Sequence, residues 1–100
     1  MNLIPEKYTS EVEKAIYTAG YLGFGVDYLV KCVQLDKETI TKQFMEENGT
    51  EYNIWLHGYY QAQTELRTTI MESAINSSTP SLEKMLQYFA ETDNEINNYD

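Results

Sequence analysis

The sequence predicts an all-α fold: an N-terminal helix-turn-helix followed by an antiparallel hairpin of one long and one short helix. Apolar residues recur at steps of three and four, and no stretch alternates over a strand length. The β-branched clusters fall inside those helical periods. Turn signals at Gly20–Gly25, Gln34-Leu35, Asn48-Gly49 and Asn76–Pro80 cut the chain into helix-sized pieces, without internal repeats or low-complexity tracts.

Ser10 followed by Glu13 is a capping box, and Val12, Ala15, Ile16 and Ala19 then keep helical spacing until Gly20 supplies a stop, so the first helix is expected over residues 10–19. Three glycines in Gly20–Gly25 predict a loop with Leu22 and Phe24 tucked beneath it. A short helix over residues 26–33 carries Leu29, Val30 and Val33 on one face; Gln34-Leu35 breaks it, and Asp36 caps a helix whose apolar positions are Ile40 and Phe44. Asn48-Gly49 ends that helix. A long helical pattern then runs from about Glu51 to Asn76, with Trp55, Tyr59, Ala62, Leu66, Ile70 and Ala74 in one stripe. Such a helix is about 39 Å long, more than a domain of this size covers by itself, so part of the stripe is expected to meet another subunit. Thr79 as cap and Pro80 at the first helical position start the last helix, whose Leu82, Met85, Leu86 and Phe89 line one face. Residues 91–100 are polar and acidic and are expected to form a disordered tail, which leaves residues 1–48 as the helix-turn-helix region and 49–90 as an oligomerisation hairpin.

A chain of 100 residues, 42 % hydrophobic, builds one small core that oligomerisation can complete. The net charge of −9 is uneven: residues 1–50 carry five lysines against eight carboxylates, and residues 51–100 two cations against eight. Between Val26 and Met45, Lys31, Lys37 and Lys42 balance Asp27, Asp36 and Glu38, a neutral island in an acidic protein. That matters because non-specific affinity for nucleic acid comes mainly from cations on phosphates. Cys32 stands alone, so no internal disulfide can form and a reducing, cytoplasmic compartment is expected. No apolar run approaches the roughly 20 residues needed to span a bilayer, and the first residues lack the layout of a signal peptide.

A helix-turn-helix needs a support helix, a tight turn and a second helix whose inner face locks against the first while its outer face enters the major groove. Val30, Val33, Leu35, Ile40 and Phe44 supply the lock, leaving Lys37, Glu38, Thr41, Lys42 and Gln43 outward. Lys37 and Lys42 suit phosphates; Thr41 and Gln43 are residue types that read base edges. The stretch resembles the helix-turn-helix of homeodomain-like phage and bacterial proteins, with Leu29-Val30, Gln34-Leu35-Asp36 and Thr39-Ile40 at the matching positions. Gln34 stands at the usual turn glycine and must accept a conformation that glycine takes more cheaply.

Beyond it, a long helix carrying His57-Gly58-Tyr59 and then Leu66, Ile70 and Ala74, a short turn, and a final Leu82/Leu86 helix are similar to the centre of phage terminase small subunits, a likeness covering about residues 10–90. The resemblance implies a non-enzymatic protein that recognises viral double-stranded DNA at a packaging start site, assembles with copies of itself, and delivers the DNA to a terminase large subunit. Self-association is expected through Trp55, Tyr59, Leu66, Ile70, Leu82, Leu86 and Phe89. Two other readings use the same residues: a dimeric transcription regulator, and an acidic, tyrosine-rich protein-interaction module that never touches DNA.

Other chemistry finds little support in the residues. Cys32 reads as a small buried apolar residue rather than a nucleophile, with His57 as its sole potential base some 25 residues away. No second His or Cys cluster accompanies His57, so no metal site is expected. Glu46-Glu47 read as solvated charges at a helix end, and Gly20, Gly23 and Gly25 follow no strand, which excludes a phosphate-binding loop. No cofactor or small-molecule substrate is implied. Tyr52, Tyr59, Tyr60 and Trp55 read as core and subunit contact before base-stacking platform.

Overall fold

A computed structural model describes residues 4–76 and 78–97, and all regular structure in that range is helical. Five helices follow in order: α1 (Glu11–Tyr21), α2 (Val26–Lys31), α3 (Lys37–Glu46), α4 (Thr50–Ile75) and α5 (Thr79–Asn97). The chain divides into two compact units, Met1–Gln63 and Thr64–Asp100, with α4 running from one into the other. The first unit extends past residue 48 because the N-terminal part of α4 belongs to its core, where Tyr52 and Ile54 are buried.

α1 starts on the predicted capping box: the Glu13 N–H donates to Ser10 Oγ at 3.0 Å, and the Ser10 N–H donates to Glu13 Oε1 at 3.2 Å. Its end differs from the prediction. The helix passes through Gly20, and the left-handed residue is Gly23 (φ 81°), which lets the Gly23 N–H reach the Gly20 carbonyl at 3.1 Å and the Phe24 N–H reach the Ala19 carbonyl at 2.9 Å. Gly20 is instead a packing residue. A Cβ there would overlap the carbonyl of Trp55, and a Cβ on Gly58 would overlap the carbonyl of Tyr17, so α1 and α4 cross with their backbones in contact.

That crossing closes a core of Tyr8, Ile16, Tyr17, Ala19, Leu29, Ile40 and Ile54, with Val26, Val30, Val33, Leu35, Phe44 and Trp55 half-buried against it. Leu29 of α2 and Ile40 of α3 are fully enclosed, so they form the centre of the helix-turn-helix lock; Phe44 turns toward α4 and meets Tyr52 and Trp55 edge-on, with ring centroids 5.0 and 4.8 Å away. In the turn, Gln34 takes φ 64°, the left-handed conformation expected of that position, and the Leu35 N–H returns to the Leu29 carbonyl at 3.0 Å.

Within the second unit, Met85 is buried and the Arg67 guanidinium lies 4.1 Å from the centre of the Tyr88 ring, so α5 packs against the end of α4. Three features of α5 depart from the expectation. The helix includes Thr79, because the Leu82 N–H already bonds to the Ser78 carbonyl at 3.0 Å. Leu82, Leu86 and Phe89 stay about half exposed while their neighbour Met85 turns inward. The helix also continues to Asn97 where a disordered tail was expected after Ala90, since no Gly or Pro interrupts residues 91–97; positions 98–100 of that expected tail lie outside the described residues. Among the described residues no helix is long and apolar enough to cross a membrane.

In a helix interior, Gly58→Ala would ordinarily gain up to about 1 kcal/mol. Here the overlap with the Tyr17 carbonyl dominates, and urea unfolding should show a loss of about 2 kcal/mol or more. An unchanged or raised midpoint would contradict the backbone contact.

Candidate nucleic-acid interface

The presented surface of the helix-turn-helix is the outer side of α3. Asp36 sets where this helix begins: its carboxylate accepts from the Thr39 N–H at 3.0 Å and from the Thr39 hydroxyl at 2.7 Å. Those two bonds, the hydroxyl's first, hold the Asp36 carboxyl below its ordinary range. α3 ends where Glu47 adopts φ 53° and the Asn48 N–H returns to the Gln43 carbonyl at 3.0 Å.

Successive helical residues are set about 100° apart, so Lys37, Glu38, Thr41 and Lys42 share one side of α3. Lys37, Glu38 and Lys42 are exposed, and Thr41 is half-buried among them. Met45, which the sequence reading passed over, falls on the same side and is 80 % exposed. Lys31, at the end of α2, is a further exposed cation of the helix-turn-helix.

Gln43 does not belong to this surface. It lies about 60° from Ile40 around the helix, and both ends of its amide are used within the chain: Nε2 donates to Glu51 Oε1 at 2.7 Å, and Oε1 accepts from the Tyr52 N–H at 2.9 Å. The Tyr52 N–H is one of the donors that the first turn of α4 leaves unpaired. Gly49, which precedes that turn, has no side chain to cap it, so Gln43 supplies the acceptor from the previous helix. A Cβ on Gly49 would collide with the Gln43 side chain. The role expected of Gln43 as a base reader is therefore replaced by that of a clamp across the α3–α4 corner. The angular relation to Ile40 was the available signal.

No protein-family model, curated protein or solved structure matches the chain.

The expected assembly residues separate between the two units. Trp55 is committed within its own unit: its Nε1 donates to the Phe24 carbonyl at 2.6 Å, and its ring stacks on Tyr59 with centroids 5.3 Å apart. Tyr52 is buried, and burial followed by the nearby Glu47 and Tyr60 raises its phenol above the ordinary range. Leu66, Leu82, Leu86 and Phe89 stand exposed in the other unit, while Ile70 is half-buried there.

Two remaining candidates are placed differently from each other. Cys32, expected to be buried, is exposed because α2 stops at Lys31 and the following residue turns out of the core. His57 shares a 2.8 Å hydrogen bond between Nδ1 and the Tyr8 hydroxyl and meets the Tyr8 and Tyr17 rings edge-on, which ties the segment before α1 to α4. Among the described residues no group of three or more His, Cys, Asp or Glu is placed to hold a metal ion.

Removing the clamp leaves the Tyr52 N–H without its acceptor, so Gln43→Ala should cost about 1–3 kcal/mol in urea unfolding; a neutral effect would return Gln43 to the list of free surface residues. For Asp36, a carboxyl depressed in the folded state stabilises above its unfolded pKa, and that stability drains away as pH falls through the folded value. The unfolding midpoints of wild type and Asp36→Asn should therefore differ most near neutrality and converge in acid. Parallel curves would contradict the assignment.

Proposed function

We propose that this chain is a non-enzymatic DNA-binding and assembly protein of the phage terminase small-subunit type, which engages double-stranded viral DNA through α3 and passes it to a terminase large subunit. The observation carrying this reading is the outer side of α3, where Lys37 and Lys42 stand exposed beside Glu38 and Thr41 while Ile40 is locked into the core. On this reading the lysines take phosphates and Thr41 approaches a base edge.

Two lysines per copy give weak electrostatic affinity, with a salt dependence of about two phosphate contacts, and the carboxylates around them lower it further. Self-association answers that weakness. Several copies on one duplex raise the effective concentration of each interface without a strongly basic subunit. The exposed apolar residues of the second unit, Leu66, Leu82, Leu86 and Phe89, are the proposed contact, and the cytoplasm of the infected cell is the proposed place.

A mobility-shift titration at low salt tests the reading. Wild type should shift a duplex drawn from its own genomic neighbourhood, the shift should fade as salt rises, and Lys37→Glu combined with Lys42→Glu should weaken it at least tenfold. Failure of wild type to shift any duplex at low salt ends the DNA reading and favours a protein-docking module.

A further inference from the structure

Asn48 and Gly49 join α3 to α4 and lie in neither helix. Asn53 and Asn94, by contrast, lie inside α4 and α5, where the following N–H is tied into the helix ladder and the following residue carries a side chain. Asn48 is exposed, and the residue after it is glycine. Among the described residues the Gly49 N–H has no main-chain acceptor; it donates to the Asn48 side-chain oxygen at 2.9 Å. That contact brings Asn48 Cγ, one carbonyl bond beyond the oxygen, within about 4 Å of the Gly49 nitrogen. No Cβ on Gly49 obstructs the approach, and its φ of 118° is a conformation that glycine adopts without penalty.

We propose that Asn48 is a self-modification site, at which the Gly49 nitrogen attacks the Asn48 side-chain amide and converts the residue to aspartate and isoaspartate. The Gly49 amide gives up its proton to solvent base, its nitrogen bonds to Cγ, and the Cγ–Nδ2 bond breaks with departure of ammonia, leaving a five-membered succinimide. Water then opens the ring. Cleavage between the nitrogen and Cγ gives aspartate in the original main chain, whereas cleavage of the original peptide bond gives isoaspartate, whose chain runs through Cβ and Cγ. One water is consumed and one ammonia released, with no change of oxidation state. Attack within one chain at this range has the effective concentration that separate reactants lack.

The two products act differently on the α3–α4 corner. Aspartate keeps an oxygen where the Gly49 N–H is held, so the corner tolerates it. Isoaspartate lengthens the main chain by one atom between two points that Gln43 holds: the Asn48 N–H on the Gln43 carbonyl at 3.0 Å, and the Tyr52 N–H on Gln43 Oε1 at 2.9 Å. The Gln43 side chain also fills the space beside Gly49, so the added length has no free volume on that side. The bond to Tyr52 spans the lengthened segment and is the one that opens, leaving a first-turn donor of α4 unpaired. The isoaspartate chain is therefore a slowly formed, weakened state of this corner, made without an enzyme, DNA or a partner subunit.

Incubation of the full wild-type chain in warm, mildly alkaline buffer tests this, with peptide mass spectrometry locating the change and an isoaspartyl methyltransferase measuring isoaspartate. Position 48 should gain about 1 Da while Asn53 and Asn94 stay intact. Its rate should lie within about tenfold of that in the chain unfolded by guanidinium, and Asn48→Gln should abolish the change. The isoaspartate fraction, separated by chromatography, should unfold at lower urea than fresh protein, whereas Asn48→Asp should stay close to fresh protein. In a Gln43→Ala background, where the clamp is already gone, isoaspartate should lower the midpoint no further. A folded chain that stays unmodified while the unfolded chain reacts overturns the site, as does equal modification of Asn53 and Asn94. An isoaspartate fraction as stable as fresh protein, or a further loss in the Gln43→Ala background, overturns the opening of the clamp.

Discussion

The backbone contact between α1 and α4 is the constraint on which the first unit depends. Gly20 and Gly58 each face a carbonyl of the opposite helix, Trp55 and Tyr17 respectively, at a separation that leaves no room for a Cβ. Two consequences follow from this close approach. The beginning of α4 is drawn into the core with Ile54, and the aromatic residues beside it reach the neighbouring elements: Trp55 the carbonyl of Phe24, and Tyr52 the ring of Phe44. The helix-turn-helix is thus buttressed from α4 and needs no contribution from the outer side of α3. This is how a chain with a small core holds an exposed helix face in a fixed orientation.

What could be read from the sequence was local. The Ser10–Glu13 capping box, the Asp36 cap and the left-handed Gln34 depend on residues within a few positions of one another, and chain stereochemistry imposes them wherever they occur. Ile40 was legible for the same reason, since helical spacing alone places it inward. Gly20 was misread because a glycine that stops a helix and one that admits a second helix look alike until the partner, 35 or more residues later, is known. Gln43 was misread by residue type: an amide suggests base reading, although its angular position beside Ile40 puts it on the packed side. Residues 91–97 were judged by their acidic composition, and the absence of any helix breaker among them was the better guide.

The distribution of charge gives the proposed function its physical form. Five of the six lysines lie in the first unit, which carries nine carboxylates, so the proposed DNA contact of α3 would rest on local placement and not on a basic field. The second unit is acidic and exposes large apolar residues in a row, a combination poorly suited to DNA and well suited to contact between proteins. In the proposed function, weak DNA contacts and self-association fit together, because multiplicity would compensate for what a single copy lacks.

The most direct test of the account follows backbone amide resonances of the isotopically labelled chain as a short duplex is added at low salt. The account predicts shifts concentrated at Lys37, Glu38, Thr41 and Lys42 that reverse when salt is added, with Leu29 and Ile54 little changed. Shifts confined to residues 64–97, or none anywhere, would contradict it.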